Sequence, residues 1–263
     1  MAIRVGVFGA GGRMGSTVCR AVAGDADLTL VGAVDPYHSG LDLRHATGVD
    51  VPDLHIDPDP SMLLDVGVDV VVDFTVLDAS RKNLAWAAEN GVHAVVGTTG
   101  LTEEDHAALA KAFTRSNCVI APNFAIGAVL MMRFAELAAP WFETAEIIEL
   151  HHDNKVDAPS GTAMLTARRM AESSGDWADD PTRTETVPGA RGARGPAGIP
   201  VHSVRLRGLV AHQEVLLGTT GQSLTLRHDS YDRASFMPGV LLAIKQVADH
   251  PGLTVGLDSF LGL

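Results

Sequence analysis

An apolar run, Ile3–Phe8, empties directly into Gly9-Ala10-Gly11-Gly12-Arg13-Met14-Gly15, and this junction constrains the fold of the chain more than any other feature. A buried strand that passes through glycines into a helix spanning Gly12–Ala23 is the entry to a parallel α/β sheet. Glycines allow the tight turn and the close approach of a pyrophosphate. The helix start adds unsatisfied N–H groups and a positive dipole end. The spacing departs from G-x-G-x-x-G because Met14 stands at the third position; it fits Gly9-x-x-Gly12-x-x-Gly15. A turn of this kind alone is a weak signal, since any tight strand-to-helix turn favours glycine. Asp35, twenty residues after Gly15 and at the end of the next apolar run, Leu28–Val34, favours the dinucleotide reading. A carboxylate there accepts hydrogen bonds from the adenosine ribose and repels a 2′-phosphate. Pro36-Tyr37-His38 supply no arginine for such a phosphate; the nearest is Arg44, although Arg13 has the reach. NADH is therefore predicted as the preferred cofactor, with NADPH tolerated. The alternative for Asp35 is a turn-forming residue before proline.

Short apolar runs alternate with helix-length segments through the first half of the chain. Asp69–Phe74, Val92–Val96 and Cys118–Ala121 are predicted strands, separated by helices over Asp78–Glu89 and Thr102–Thr114. The pattern predicts a doubly wound parallel sheet joined by right-handed crossovers. Ligands bind outside the carboxyl ends of such strands. Gly97-Thr98-Thr99-Gly100 and Ala121-Pro122-Asn123-Phe124 stand at two of these ends, as nicotinamide-side contacts or as ordinary loops. After about residue 125 the pattern changes. A helix over Ile126–Ala138, a strand over Ala145–Leu150 and a helix over Gly161–Ser173 lead into a Gly/Pro/Arg-rich segment, Asp179–Pro200, predicted as an exposed loop. Val201–Arg207, Gln213–Leu217 and Ser223–Arg227 have the alternation of antiparallel strands, and a helix over Ala234–Ala248 follows.

Composition narrows the function classes. Thirty-two acidic against 20 basic residues give a formal charge of −12, which disfavours nucleic-acid binding, where Lys and Arg must replace phosphate counterions. No apolar stretch approaches membrane-spanning length, so no membrane partner is expected. The two cysteines, Cys19 and Cys118, offer no disulfide framework, and with no targeting segment at the N-terminus a cytoplasmic location is expected. The charge is uneven: residues 25–78 hold twelve aspartates against Arg44, whereas residues 181–207 hold five arginines against Glu185.

The densest chemistry lies in Glu149-Leu150-His151-His152-Asp153-Asn154-Lys155-Val156-Asp157-Ala158-Pro159-Ser160-Gly161-Thr162-Ala163. On an extended segment His151 and His152 face opposite sides, and no Cys or H-E-x-x-H pattern is near, so no metal site is predicted. Lys155 supplies a cation and a proton source, and Ser160-Gly161-Thr162 opens a helix whose N–H groups suit a carboxylate. The set fits proton transfer to a small anionic substrate. A solvated polar loop is the plainer alternative.

These stretches carry a resemblance. GAGGRMG, GTTG at 97–100, APNF at 121–124 and ELHHDNKVDAPSGTA at 149–163 resemble the 4-hydroxy-tetrahydrodipicolinate reductase (dihydrodipicolinate reductase) family, nicotinamide-dependent enzymes of the diaminopimelate route to lysine. GIPVHSVR at 198–205 and GLVAHQE at 208–214 extend the resemblance over essentially the whole chain. It implies a Rossmann domain over residues 1–125 and 235–263, and an α/β substrate domain over 126–234 whose open mixed sheet builds a homotetramer. It also implies roles: His151 as acid/base residue and Lys155 as proton donor, with His152, Lys155, Ser160, Gly161 and Thr162 holding a dicarboxylate. Gly9, Ala10, Gly11, Gly12, Arg13, Met14, Asp35, Gly97, Thr98, Thr99, Ala121, Pro122, Asn123 and Phe124 would contact the cofactor. Two other readings share the first motif: a different nicotinamide-dependent reductase, and a non-catalytic nucleotide sensor. Neither requires His151 and Lys155.

Overall fold

Apolar β-branched runs alternating with amphipathic helices assemble the first of two compact units, residues 1–124 with 236–263. The computed structural model describes all residues, 1–263. Strands β1 (Ile3–Phe8), β2 (Leu28–Val34), β3 (Ile56–Asp57), β4 (Val70–Asp73), β5 (His93–Val96) and β6 (Cys118–Ile120) are joined by helices α1 (Arg13–Ala23), α2 (Leu43–Thr47), α3 (Ser61–Asp65), α4 (Leu77–Asn90) and α5 (Glu103–Ala112). The sheet order is 3-2-1-4-5-6, with a seventh strand, β12 (Leu253–Val255), returning beside β6. Every pairing is parallel. This is the doubly wound order, and its switch point falls between β1 and β4, so the strand ends at Phe8 and Asp73 flank the crevice where ligands bind in such sheets. Val5, Val7, Val70, Val71, Val72, Ala94, Val95 and Val96 are almost wholly buried, as expected for strands covered on both faces.

The second unit, residues 125–235, is built around a five-stranded sheet. Helices α6 (Ile126–Ala138) and α7 (Gly161–Ser173) accompany strands β7 (Thr144–His151), β8 (Ala193–Arg194), β9 (Pro200–Arg205), β10 (Ala211–Thr219) and β11 (Gln222–Ser230), in the order 11-10-7-9-8. Ala145, Ile147, Val201, Val215 and Leu217 pack with Met131, Ala135, Ala163, Ala167 and Met170 into one core under the two helices. Helix α8 (Met237–Gln246) belongs to the first unit.

The structure corrects three expectations. Val201–Arg207 is not one of three antiparallel neighbours: β9 runs parallel to β7, while β10 lies on the other side of β7. The cause is the long connection through α7, which allows a crossover, whereas only β10 and β11 are close enough in sequence for a hairpin. In Asp179–Pro200, residues 181–190 are exposed, but Asp180 is half-buried, Ala193–Arg194 forms an edge strand and Ile199 is buried in the core. The continuous helix expected over Ala234–Ala248 is a ten-residue α8 flanked by 3-10 turns, Arg233–Phe236 and Val247–Asp249.

Candidate active site

The first unit carries the cradle. Gly9 has φ +72°, a left-handed conformation, and its carbonyl accepts the Gly12 N–H at 3.0 Å. A Cβ on Gly15 would stand 2.0 Å from that same carbonyl oxygen, so the turn and α1 approach as closely as backbone allows. Gly12 is the N-cap of α1 and contributes no side-chain cap, leaving the N–H groups of the first turn without an intrahelical acceptor. Ala10 is fully buried, while Gly11, Gly12 and Met14 are half-buried and Arg13 is exposed. A turn that only glycine fits, opening onto uncapped N–H groups, suits a pyrophosphate.

Asp35 is buried at 5% exposure. Its Oδ2 accepts the Gly11 N–H at 3.1 Å and its Oδ1 accepts the Tyr37 N–H at 3.0 Å, tying the glycine turn to the end of β2. The His38 Nδ1 lies 3.0 Å from Oδ2, close enough for charge pairing but off-line for a hydrogen bond. The turn-forming role is therefore real, and two carboxylate oxygens with about four acceptor sites retain capacity for a hydroxyl. Arg44 is drawn away to Asp50, 3.4 Å distant.

At the ends of β4 and β5, one buried carboxylate organises the loops. Asp73 accepts the Thr75 N–H, the Thr75 hydroxyl, the Asn83 amide and the Thr98 hydroxyl at 2.7 to 3.0 Å. The Thr98 hydroxyl in turn accepts the Thr75 N–H at 2.9 Å, so Thr98 is a structural pin, whereas Thr99 is exposed. Gly97 is half-buried against Phe74, whose ring also meets Phe124 at 5.8 Å between centroids. Ala121 is buried and donates its N–H to Val96, Pro122 is exposed and Asn123 half-buried.

The second unit brings His151, Lys155 and the start of α7 into one cluster, through residues the sequence reading did not single out. Glu149 and His151 are two apart on β7 and so share a face. The Glu149 side chain is wholly buried, with Oε2 2.5 Å from His151 Nδ1. Arg205, paired with His151 in the β7–β9 register, grips the same carboxylate with Nη1 and Nη2, each at 2.8 Å. The Ser160 N–H donates to Glu149 Oε1 at 3.1 Å, and the Ser160 hydroxyl caps α7 by accepting the Ala163 N–H at 3.2 Å. Lys155 reaches both oxygens of Asp157, at 2.7 and 2.8 Å. An ammonium has three donors, which leaves one for a ligand. His152 is exposed and its Nδ1 accepts the Asn154 N–H at 3.2 Å, so the neutral ring carries its proton on Nε2, a donor for an anion. Gly161 and Thr162 occupy the first turn of α7.

Burial pushes the Glu149 carboxyl up, but its hydrogen bonds with Arg205, Ser203 and His151 hold it below the usual glutamate range. Burial pushes His151 below the ordinary imidazole value; Glu149 opposes this, and the charges of Lys155 and Arg205 add to it. The cluster thus contains a neutral imidazole, a carboxylate already matched to a guanidinium, an ammonium and a helix N-terminus. That combination binds anions and moves protons. A sequence signal existed for Glu149, an acid two positions before a histidine on a strand. None existed for Arg205, because only the register across 56 residues brings it near. A cavity of about 430 Å³ in this unit, lined by Thr144, Trp177, Asp180, Arg191 and Leu216, lies among other residues altogether.

Comparison with known proteins shows the family. The family model described as "Dihydrodipicolinate reductase, N-terminus" matches residues 3–124, and "Dihydrodipicolinate reductase, C-terminus" matches residues 127–261. The chain is 51% identical to the 4-hydroxy-tetrahydrodipicolinate reductase of Mycobacterium marinum, over 99% of this chain and 100% of that one. It is 47% identical to the enzyme of the same name from Corynebacterium urealyticum, over 99% of both chains. A solved dipicolinate-bound dihydrodipicolinate reductase from Paenisporosarcina sp. TG-14 superposes with a TM-score of 0.85 at 42% identity, covering 98% of this chain and 99% of that one. An amine dehydrogenase from Mycobacterium smegmatis, TM-score 0.67 at 14% identity, shares the fold alone. With both halves matched and near-complete relatives at about half identity, the chain belongs to the 4-hydroxy-tetrahydrodipicolinate reductase (dihydrodipicolinate reductase) family of nicotinamide-dependent oxidoreductases.

Proposed function

We propose that this chain reduces 4-hydroxy-tetrahydrodipicolinate, by way of dihydrodipicolinate, to tetrahydrodipicolinate, with NADH preferred over NADPH. Residues 1–125 with 235–263, within a residue of the first unit's bounds, are the dinucleotide-binding domain, and residues 126–234 form the substrate-binding and tetramerisation domain. Gly9 to Met14 hold the pyrophosphate at the start of α1 and Asp35 takes the adenosine ribose. Gly97 to Thr99 and Ala121 to Phe124 line the nicotinamide side. Bound reduced nicotinamide supplies a hydride to a ring carbon of the substrate.

The second-unit residues do the rest. His152 Nε2, the Lys155 ammonium and the N–H groups at Gly161 and Thr162 orient the two carboxylates; Ser160 keeps those N–H groups aimed by capping the helix. Electrons displaced toward the ring nitrogen by the hydride leave a neighbouring carbon that needs a proton, and Lys155 Nζ donates it. His151 exchanges a proton at Nε2, the nitrogen not engaged by Glu149. The observation that carries the reading is the convergence of His151 and the α7 start on one buried carboxylate, with the Lys155 backbone tied to the same Arg205 that grips it. The relative that binds dipicolinate, a planar dicarboxylate, supports the substrate class. For assembly, the open face of the second sheet presents half-buried Ile148, Leu150, Val204 and Leu216, which favours burial in a homotetramer. No helix is long and apolar enough to cross a membrane, and a cytoplasmic enzyme is the reading adopted.

Lys155→Ala and His151→Ala are each expected to lower kcat about 10²-fold or more, the scale of general acid–base catalysis. Lys155→Ala should also raise KM, since it removes a cation from an anion site. Near-normal turnover in both variants, with folding verified by thermal melting, contradicts the assignment.

A further inference from the structure

Glu149 stands where the packing predicts an apolar residue. On β7 it follows Ala145 and Ile147 on the face covered by α6 and α7, and its side chain is entirely inaccessible. Burying a carboxylate costs several kcal/mol unless it is matched, and a matched pair is often no more stable than apolar residues of the same volume. Stability therefore does not explain it; what it touches does. One oxygen, Oε2, takes His151 Nδ1 and Arg205 Nη1; the other, Oε1, takes Arg205 Nη2 and the Ser160 N–H. Arg205 continues outward, donating from Nη2 to the Asp157 carbonyl at 2.6 Å and from Nε to the Lys155 carbonyl at 3.3 Å. One buried pair thus reaches the imidazole, the backbone of Lys155 and the beginning of α7.

We infer that Glu149 is the positioning residue of the reaction: it fixes the tautomer and ring direction of His151, and through Arg205 it sets Lys155 in register with the imidazole. The inference rests on the reading of His151 and Lys155 given under Proposed function. An ionised carboxylate only accepts hydrogen bonds, so the proton shared with His151 sits on Nδ1 and Nε2 is left as a bare acceptor. Arg205 keeps the carboxylate ionised by occupying both oxygens, while burial and the charges of Lys155 and Arg205 keep the imidazole neutral against the pull of Glu149. The charged groups facing His151 are Glu149 on its own strand, Arg205 on β9 and Lys155 on the following loop; β10 offers uncharged Ala211 opposite it.

The test uses the full chain. In the wild type, long-range ¹H–¹⁵N spectra of the histidine rings, with His151 assigned by its loss in His151→Ala, are expected to show the Nδ1–H form. An Nε2–H form overturns the inference without any variant having to fold. Glu149→Gln removes the charge but keeps the shape. It is expected to lower kcat about tenfold or more while the dissociation constant for dipicolinate changes less than about threefold. It should also move the acid limb of the kcat/KM profile to lower pH, because Glu149 raises the His151 value and its removal leaves Arg205 unopposed. In a His151→Ala background the same substitution should cost little further, since it acts through the ring. Equal losses in both backgrounds mark a merely structural role and overturn the inference. If His151→Ala loses turnover but Glu149→Gln does not, the inference alone fails. If His151→Ala keeps turnover, the reading of the site fails first.

Discussion

At Asp35 two demands meet on one carboxylate: it holds the glycine turn against the end of β2, and in the proposed function it faces the adenosine ribose. Its hydrogen bonds from Gly11 and Tyr37 meet the first demand, and under the proposed function a buried negative charge beside the ribose would penalise a 2′-phosphate. With Arg44 paired to Asp50, the exposed Arg13 at the start of α1 is the arginine left with the reach to offset that penalty. The expected outcome is a higher kcat/KM with NADH than with NADPH in parallel steady-state assays. An advantage of about tenfold or more for NADPH contradicts it and points to Arg13 as the phosphate ligand. Single residues were the most legible scale for the site. His151, Lys155 and Ser160 stand in one contiguous stretch, so their grouping needed no tertiary contact. Glu149 lay within that stretch, two positions before His151 and so on the same strand face, but an acid so placed has no assignable role until its partner is known. That partner, Arg205, is 56 residues away and only strand pairing delivers it.

Elements show where periodicity succeeds and where it gives out. The seven-residue, mostly apolar run of β2 and the amphipathic run of α7 coincide with the expected bounds, because each has enough length for its period to be seen. α2, β3, α3 and β12 are two to five residues long, shorter than two turns of helix or a full strand alternation, and they went unseen. β9 was visible as a strand but not as a parallel one, since direction is set by the crossover and not by the strand's own residues. The junction of β1 and α1 is the element whose geometry the account depends on most. Gly15→Ala would place a methyl 2.0 Å from the Gly9 carbonyl oxygen, a contact that only backbone movement relieves. We expect the NADH dissociation constant, measured by titration calorimetry, to rise about tenfold or more with the protein still folded. Unchanged affinity would show that the turn does not hold the pyrophosphate.

For the molecule as a whole, the acidic bias takes on a different meaning in three dimensions. The twelve aspartates of residues 25–78 suggest an electrostatic field around the adenosine site, yet several are occupied locally. Asp42 caps α2, Asp59 turns into α3, Asp69 holds the Arg4 N–H, and Asp25 and Asp27 share Lys245. The arginine excess of residues 181–207 is likewise partly spent: Arg191 pairs with Glu146 and Asp180, and Arg205 with Glu149. Composition reports totals, whereas the proposed function depends on where individual groups stand, chiefly the third donor of Lys155 and the uncapped start of α1. The two-unit architecture, a doubly wound sheet closed by the returning chain and a five-stranded mixed sheet, was largely legible from strand spacing and resemblance. The direction of β9 and the anchoring of residues 191–200 required the assembled core. The central claim, reduction of a cyclic dicarboxylate at the expense of NADH, is tested most directly by following NADH absorbance after adding freshly formed condensation product of pyruvate and aspartate semialdehyde. The account predicts prompt oxidation of NADH by the wild-type chain and its near-loss in Lys155→Ala; no oxidation by the wild type, or equal rates in both, would contradict it.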